Sequence, residues 1–154
     1  MRQPYIALLV SGWRGMTADA KSASGVSYQA LFDAAVTEFI IMQGVPNLVL
    51  TGGARGADAL AEAWAKRNAL PLDVRKADWK TLGAAAGPLR NTQLVQLCTH
   101  VLAFPHASKG RGTQDAVRKA VAAGKHVTVV ELDQEWQQGP LSASEHAGSA
   151  MKNL

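Results

Sequence analysis

Gly110-Arg-Gly-Thr-Gln-Asp115 joins an apolar run of strand length, His100 to Phe104, to a segment in which Val117, Ala120 and Val121 recur at helical spacing and stop at Gly124. A buried strand that passes through glycines into an amphipathic helix is the repeating connection of a parallel α/β sheet. Thr113 is placed to cap that helix. Glycine lets backbone N–H groups turn toward a ligand at close range, and the helix aims its free N–H groups and positive dipole end at the same point. The junction therefore predicts an anion pocket as well as an architecture.

A second junction of the same kind, Thr51-Gly-Gly-Ala-Arg-Gly-Ala-Asp58, follows another apolar run and opens another amphipathic segment bearing Leu60, Ala61, Trp64 and Ala65. Two such loops point to one nucleotide-like ligand held at both ends. Outward from them, strand-length runs recur at Tyr5 to Val10, Asn47 to Leu50, Leu72 to Arg75 and His126 to Leu132. Between the first two, Tyr28, Leu31, Phe32, Ala35, Val36, Phe39 and Ile40 form one helical stripe that Ser27 can cap. Pro88 can occupy the first turn of a further helix carrying Leu94, Leu97 and Cys98. The expected fold is α/β: a Rossmann-like, doubly wound parallel sheet of about five core strands in a single domain, residues 1–136. From Gln137 onward Gly, Pro, Ser and Ala dominate without periodicity, which predicts a flexible tail over 137–154.

A chain of 154 residues with 47% hydrophobic content and a formal charge of +4 suits one globular domain. Lys and Arg are scattered, which favours a phosphorylated small molecule over long nucleic acid, and no basic, aromatic-lined groove pattern supports single-strand binding. Cys98 is the only cysteine, as in a reducing cytoplasm, and reads as a small buried apolar residue. No metal site, cofactor or membrane span is expected, and Tyr5 to Val10 is too short for a signal sequence.

Ligands of open parallel sheets collect outside the carboxyl ends of the strands, where four loops converge. The candidates are Ser11, Gly12, Trp13 and Arg14 after the first strand, and Gly52, Gly53, Ala54, Arg55, Gly56 and Asp58 after the second. Trp79, Arg90 and Asn91 follow the third strand, and Pro105, Lys109, Gly110, Arg111, Gly112 and Thr113 the fourth. Asp58 has two available roles, capping its helix or accepting a ribose hydroxyl. Arg90 is the sharpest single residue, because a cation in the first turn of a helix is disfavoured unless an anion binds beside it. His106 reads as a neutral loop histidine.

Ser11-Gly-Trp-Arg14, Thr51 to Ala61, Ala77-Asp-Trp79, Ala86-Gly-Pro-Leu-Arg-Asn91, Ala103-Phe-Pro105 and Lys109-Gly-Arg-Gly-Thr113 together resemble the YspA-like, cpYpsA-related branch of the SLOG superfamily, from about Tyr5 to Leu132. The resemblance implies a Rossmann-like fold that binds nucleotides or nucleotide-derived ligands such as ADP-ribose or cyclic nucleotides, with the glycine-rich loops and Thr113 as phosphate site. Kinship with phosphoribohydrolases that release cytokinin bases implies a homodimer or higher homo-oligomer. It also implies an alternative activity, nucleotide N-glycosidase, with Arg90 on the phosphate and Asp115 as nucleophile or base. The arginine-lysine pair of those enzymes is similar to Arg90-Asn91, but alanine, Ala116, stands where their supporting glutamate would be, and Asp115 lies one position early.

Overall fold

The computed structural model describes residues 3–107, 109–133 and 151–153. The elements run β1 (Ala7–Gly12), α1 (Tyr28–Gln43), β2 (Leu48–Thr51), α2 (Ala57–Arg67), β3 (Leu72–Val74) and α3 (Trp79–Leu82). A 3-10 turn (Gly83–Ala85) leads into α4 (Ala86–Leu97), followed by β4 (His100–Phe104), α5 (Arg111–Ala122), β5 (His126–Val130) and β6 (Met151–Asn153).

Side chains alternate across each strand, and this period of two divides the core into two layers. Leu8 and Val10 of β1 pack with Phe32 and Phe39 of α1 and with Trp64 of α2, whereas Ala7 and Leu9 face Leu94 and Val95 of α4 and Ala120 of α5. Helices therefore cover both faces, which is why the strands read as near-continuous apolar runs. The strand order is β3-β2-β1-β4-β5, with every neighbouring pair in that series parallel. The expected doubly wound parallel sheet is the observed one.

A sixth strand, β6, adds antiparallel to β5 through Met151, Lys152 and Asn153. The sequence showed no strand there, because three residues at a sheet edge can borrow a backbone ladder from β5 without any alternating pattern of their own. The rest of the expected tail, residues 137–150 and 154, and the boundary at 136 lie outside the described residues.

Ser27 caps α1 as its position suggests, its hydroxyl accepting from the Ala30 N–H at 3.0 Å. Ser27→Ala should cost about 1 kcal/mol and lower the melting temperature by about 2 to 4 °C. An unchanged thermal melt would show that the cap contributes nothing.

Two glycines bring β1 and the start of α2 together. A Cβ on Gly12 would lie 2.5 Å from the Ala57 Cβ, and one on Gly56, whose φ is +76°, would lie 2.3 Å from the Trp13 carbonyl oxygen. Only glycine permits both the approach and the backbone angle. The loop after β1 is thereby pressed onto the mouth of α2, and the two become adjacent walls of one crevice.

Candidate functional site

From β1 the chain leaves to one side of the sheet through β2 and returns on the other through β4, so the carboxyl end of β1 is the switch point where such folds open a crevice. A cavity of about 730 Å³ occupies it. The first loop contributes Ser11, Gly12, Trp13 and Arg14, and the second Gly52, Ala54 and Asp58. Trp79 comes from α3, Arg90 and Asn91 from α4. Gly110, Arg111, Gly112, Thr113 and Asp115 complete the wall.

A line of hydrogen bonds crosses this site from one glycine-rich loop to the other. Asp58 Oδ2 accepts from the backbone N–H of Gly52 at 3.0 Å and of Ala54 at 3.2 Å. The Gly52 carbonyl in turn accepts from Arg90 Nη1 at 2.6 Å, and Arg90 Nε donates to Asn91 Oδ1 at 3.1 Å. Asn91 Nδ2 continues to the Gly112 carbonyl and to Asp115 Oδ2, both at 3.1 Å. The guanidinium lies flat against Gly52, where a Cβ would come within 2.4 Å of Nη1. Its Nη2 has no hydrogen-bond partner among the described residues. Burial disfavours the Arg90 cation, Asp58 supports it, and the neighbouring Arg14 charge opposes it. The half-buried guanidinium is thus held between backbone and an amide on the cavity wall, with the Arg14 charge near enough to act on it.

Arg90 is the fifth residue of α4, not a first-turn residue, because the 3-10 turn and Ala86 start the helix earlier than Pro88 alone suggested. The dipole argument for Arg90 therefore lapses, and its contacts carry the case instead. Thr113 likewise does not cap α5. Gly110, at φ +99°, is the cap, and Thr113 sits buried inside the first turn with its N–H on the Gly110 carbonyl at 3.2 Å. The N–H groups of Gly110, Arg111 and Gly112 have no acceptor among the described residues, and their helix end faces the cavity.

In the second loop the amides are mostly engaged. Gly53 donates to Thr51 Oγ1 at 3.4 Å, Ala54 to Asp58, and Ala57 to the Trp13 carbonyl at 3.4 Å. This loop positions Arg90 and Asp58 more than it offers donors, contrary to the expectation of a second phosphate cradle. Asp58 does not take the capping role: α2 is capped by Gly56 with no side-chain bond, and Asp58 Oδ2 instead holds the loop. It is 5% exposed. Burial pushes its carboxyl up to about 6 despite the N–H bonds from Ala54 and Gly52 and the Arg90 charge.

Asp115 has both oxygens engaged: Oδ1 with Arg118 at 2.7 Å, Oδ2 with Lys119 at 2.9 Å and with Asn91. Burial raises its pKa, but Lys119, Asn91 and Arg118 outweigh that and hold it below the usual carboxylate range. This pinned anion is poorly placed to attack a sugar or to take its hydroxyls.

The tryptophans differ. Trp13 is packed by His106 at 4.4 Å between ring centroids, by Tyr28 edge-on at 6.1 Å and by Lys109 Nζ at 5.7 Å. Trp79 is 51% exposed and leans over Gly87 at the cavity rim, so it presents the freer ring face.

Five expected residues lie off the wall. Lys109 turns to Trp13, Gly53 packs against Lys76, and Gly56 lies beneath the Trp13 and Arg14 carbonyls. The Pro105 carbonyl is occupied by the Leu132 N–H at 2.8 Å, and Arg55 is exposed elsewhere. His106 faces Asp133 at 3.4 Å, and that carboxylate also accepts from the Tyr28 hydroxyl and from the Ala23 N–H. The wall also includes Arg118, which went unrecognised. The signal was available: Arg111, Asp115 and Arg118 follow three- and four-residue spacing on one face of α5. Arg14 and Arg111 form no ion pair among the described residues. Cys98 is buried, which pushes its thiol up to about 11 and leaves it inert. Among the described residues no cluster of His, Cys, Asp and Glu could hold a metal ion, and no helix is long and apolar enough to cross a membrane.

The sheet order and the helices on both faces define a Rossmann-like α/β domain with its crevice at the switch point. Residues 38–81 match the family model of the YspA, cpYpsA-related SLOG family, which supports the SLOG, YspA-like branch read from the motifs. That match spans the second glycine-rich junction and Trp79, but stops before Arg90. The Gene 61 protein of Mycobacterium phage D29 is 40% identical over 84 residues, 50% of this chain; the chain spans 66% of that relative's length. No solved structure matches the chain.

Proposed function

We propose that this protein binds a phosphorylated, ribose-containing small molecule in the crevice at the end of β1, acting as a sensor or sequestering protein. The observation that carries this reading is Arg90, fixed by Gly52 and Asn91 and facing the same cavity as the open amide end of α5. A phosphate there would take N–H groups from Gly110 to Gly112 and charge from Arg90, with Arg111 and Arg14 at the rim. Trp79 supplies a face on which a base can stack.

A ligand at 100 times its dissociation constant should stabilise the fold by about 2.7 kcal/mol, raising the melting temperature by about 5 to 10 °C. Thermal melts with nucleoside mono- and diphosphates, ADP-ribose and cyclic nucleotides test this; no shift with any of them, for a protein that melts cooperatively, sinks the reading. The N-glycosidase alternative is weakened by Asp115, whose oxygens are both engaged. Chromatography for free base after incubation with the same compounds decides it.

A further inference from the structure

Asp58 holds a buried carboxylate whose two oxygens differ. Oδ2 carries both loop N–H bonds. Oδ1 accepts no hydrogen bond among the described residues, although the residue is only 5% exposed and lies on the cavity wall. An acceptor that reaches the cavity and takes no donor from the chain is open to a donor supplied by a ligand.

The donor's position along a ligand follows from Gly52. Its N–H bonds Asp58 and its carbonyl bonds Arg90, so the two side chains are separated by a single residue's backbone. A phosphate on Arg90 would therefore put the adjoining sugar, not the more distant base, against Asp58. Trp79, the exposed ring suited to a base, stands over Gly87 on the α4 side. The other acid of the wall, Asp115, already has both oxygens bound, Oδ1 to Arg118 and Oδ2 to Lys119 and Asn91.

We infer that Asp58 is a specificity-determining residue, using Oδ1 to select ligands that carry free ribose hydroxyls over their deoxy counterparts. This rests on the reading of the crevice as a phosphate-and-ribose site. A pocket that hydrogen-bonds a hydroxyl rejects the analogue lacking it, because its own buried polar group is then left unpaired.

Titration calorimetry of the wild-type protein with ribonucleoside 5′-mono- and 5′-diphosphates and with their 2′,3′-dideoxy forms is the test. The ribo forms should bind about 10- to 100-fold tighter. In Asp58→Asn the amide oxygen would keep the Gly52 and Ala54 N–H bonds and place an NH₂ where Oδ1 stood, so the preference should shrink to a few-fold. Equal binding of ribo and dideoxy forms by the wild type overturns the inference while leaving the phosphate site standing. So does a preference that survives unchanged in Asp58→Asn. Failure of every nucleotide to bind overturns both; the wild-type comparison stands even if the variant does not fold.

Discussion

Arg90→Ala is expected to weaken the binding of nucleoside 5′-diphosphates by about 10- to 100-fold, the equivalent of one charge-assisted hydrogen bond at about 1.5 to 3 kcal/mol. The guanidinium is fixed from two sides, by the Gly52 carbonyl and the Asn91 side chain, so it is ordered before a ligand arrives. Preordering removes the entropy that a mobile surface arginine would lose on binding. Gly52→Ala offers an independent route to the same effect, since its Cβ would sit 2.4 Å from Nη1 and push the guanidinium off its seat without removing the charge. Lys109→Ala, by contrast, should leave affinity nearly unchanged, because that lysine lies over Trp13 and off the wall. Calorimetry on the three variants distinguishes these cases; an Arg90→Ala protein with wild-type affinity removes the basis of the proposed site.

Asp58→Asn should make the protein more stable above pH 6. In the unfolded chain an aspartate ionises near 3.9, whereas in the fold burial pushes this carboxyl up to about 6, with Glu62 adding repulsion and Ala54, Gly52 and Arg90 opposing the rise only in part. Below about pH 4 the group is protonated in both states and makes no difference. As pH climbs from there through about 6, the unfolded state releases its proton more readily, and the native state loses stability by about 3 kcal/mol, taking about 1.4 kcal/mol for each tenfold change in proton affinity. Above that window the deficit is constant. Asp115 acts in the opposite sense: held below its ordinary range, it contributes stability that is lost as pH falls through its folded value. Urea unfolding of variant and wild type from pH 4 to 8 separates the two, because the Asp115 contribution cancels in the difference. A variant-minus-wild-type stability that does not change with pH contradicts the assignment. A carboxylate retained against stability, on the wall of a crevice, is what a residue kept for ligand selection looks like.

Much of the fold was readable because its signals are local. Ser27 before the Tyr28-Phe32-Phe39 stripe, the glycine-rich junctions after β2 and β4, and Gly124 closing α5 are each decided within a few residues by caps and periodicity. Elements without such signals were not readable. The short α3 depends on Asp78 accepting from the Thr81 N–H at 3.2 Å, and its four residues are too few for a pattern. β6 exists only because β5 offers an edge. The start of α5 was placed too late because Thr113 is a good cap by type, while Gly110 reaches the left-handed backbone that ended the loop earlier.

Glycines, an arginine and an acid near strand ends were enough to say where an anion would bind, since parallel α/β sheets put those ends together whatever the details. Which amides remain open, and which carboxylate remains free, depends on partners far away in the chain. Asn91 reaches Gly112 and Asp115, and Arg90 reaches Gly52 across 38 positions, whereas Lys119 and Arg118 meet Asp115 locally, three and four residues along α5. Hydrogen bonding is directional and short-ranged, so the division of roles between Asp58 and Asp115 was settled only when the folded chain brought their partners within about 3 Å.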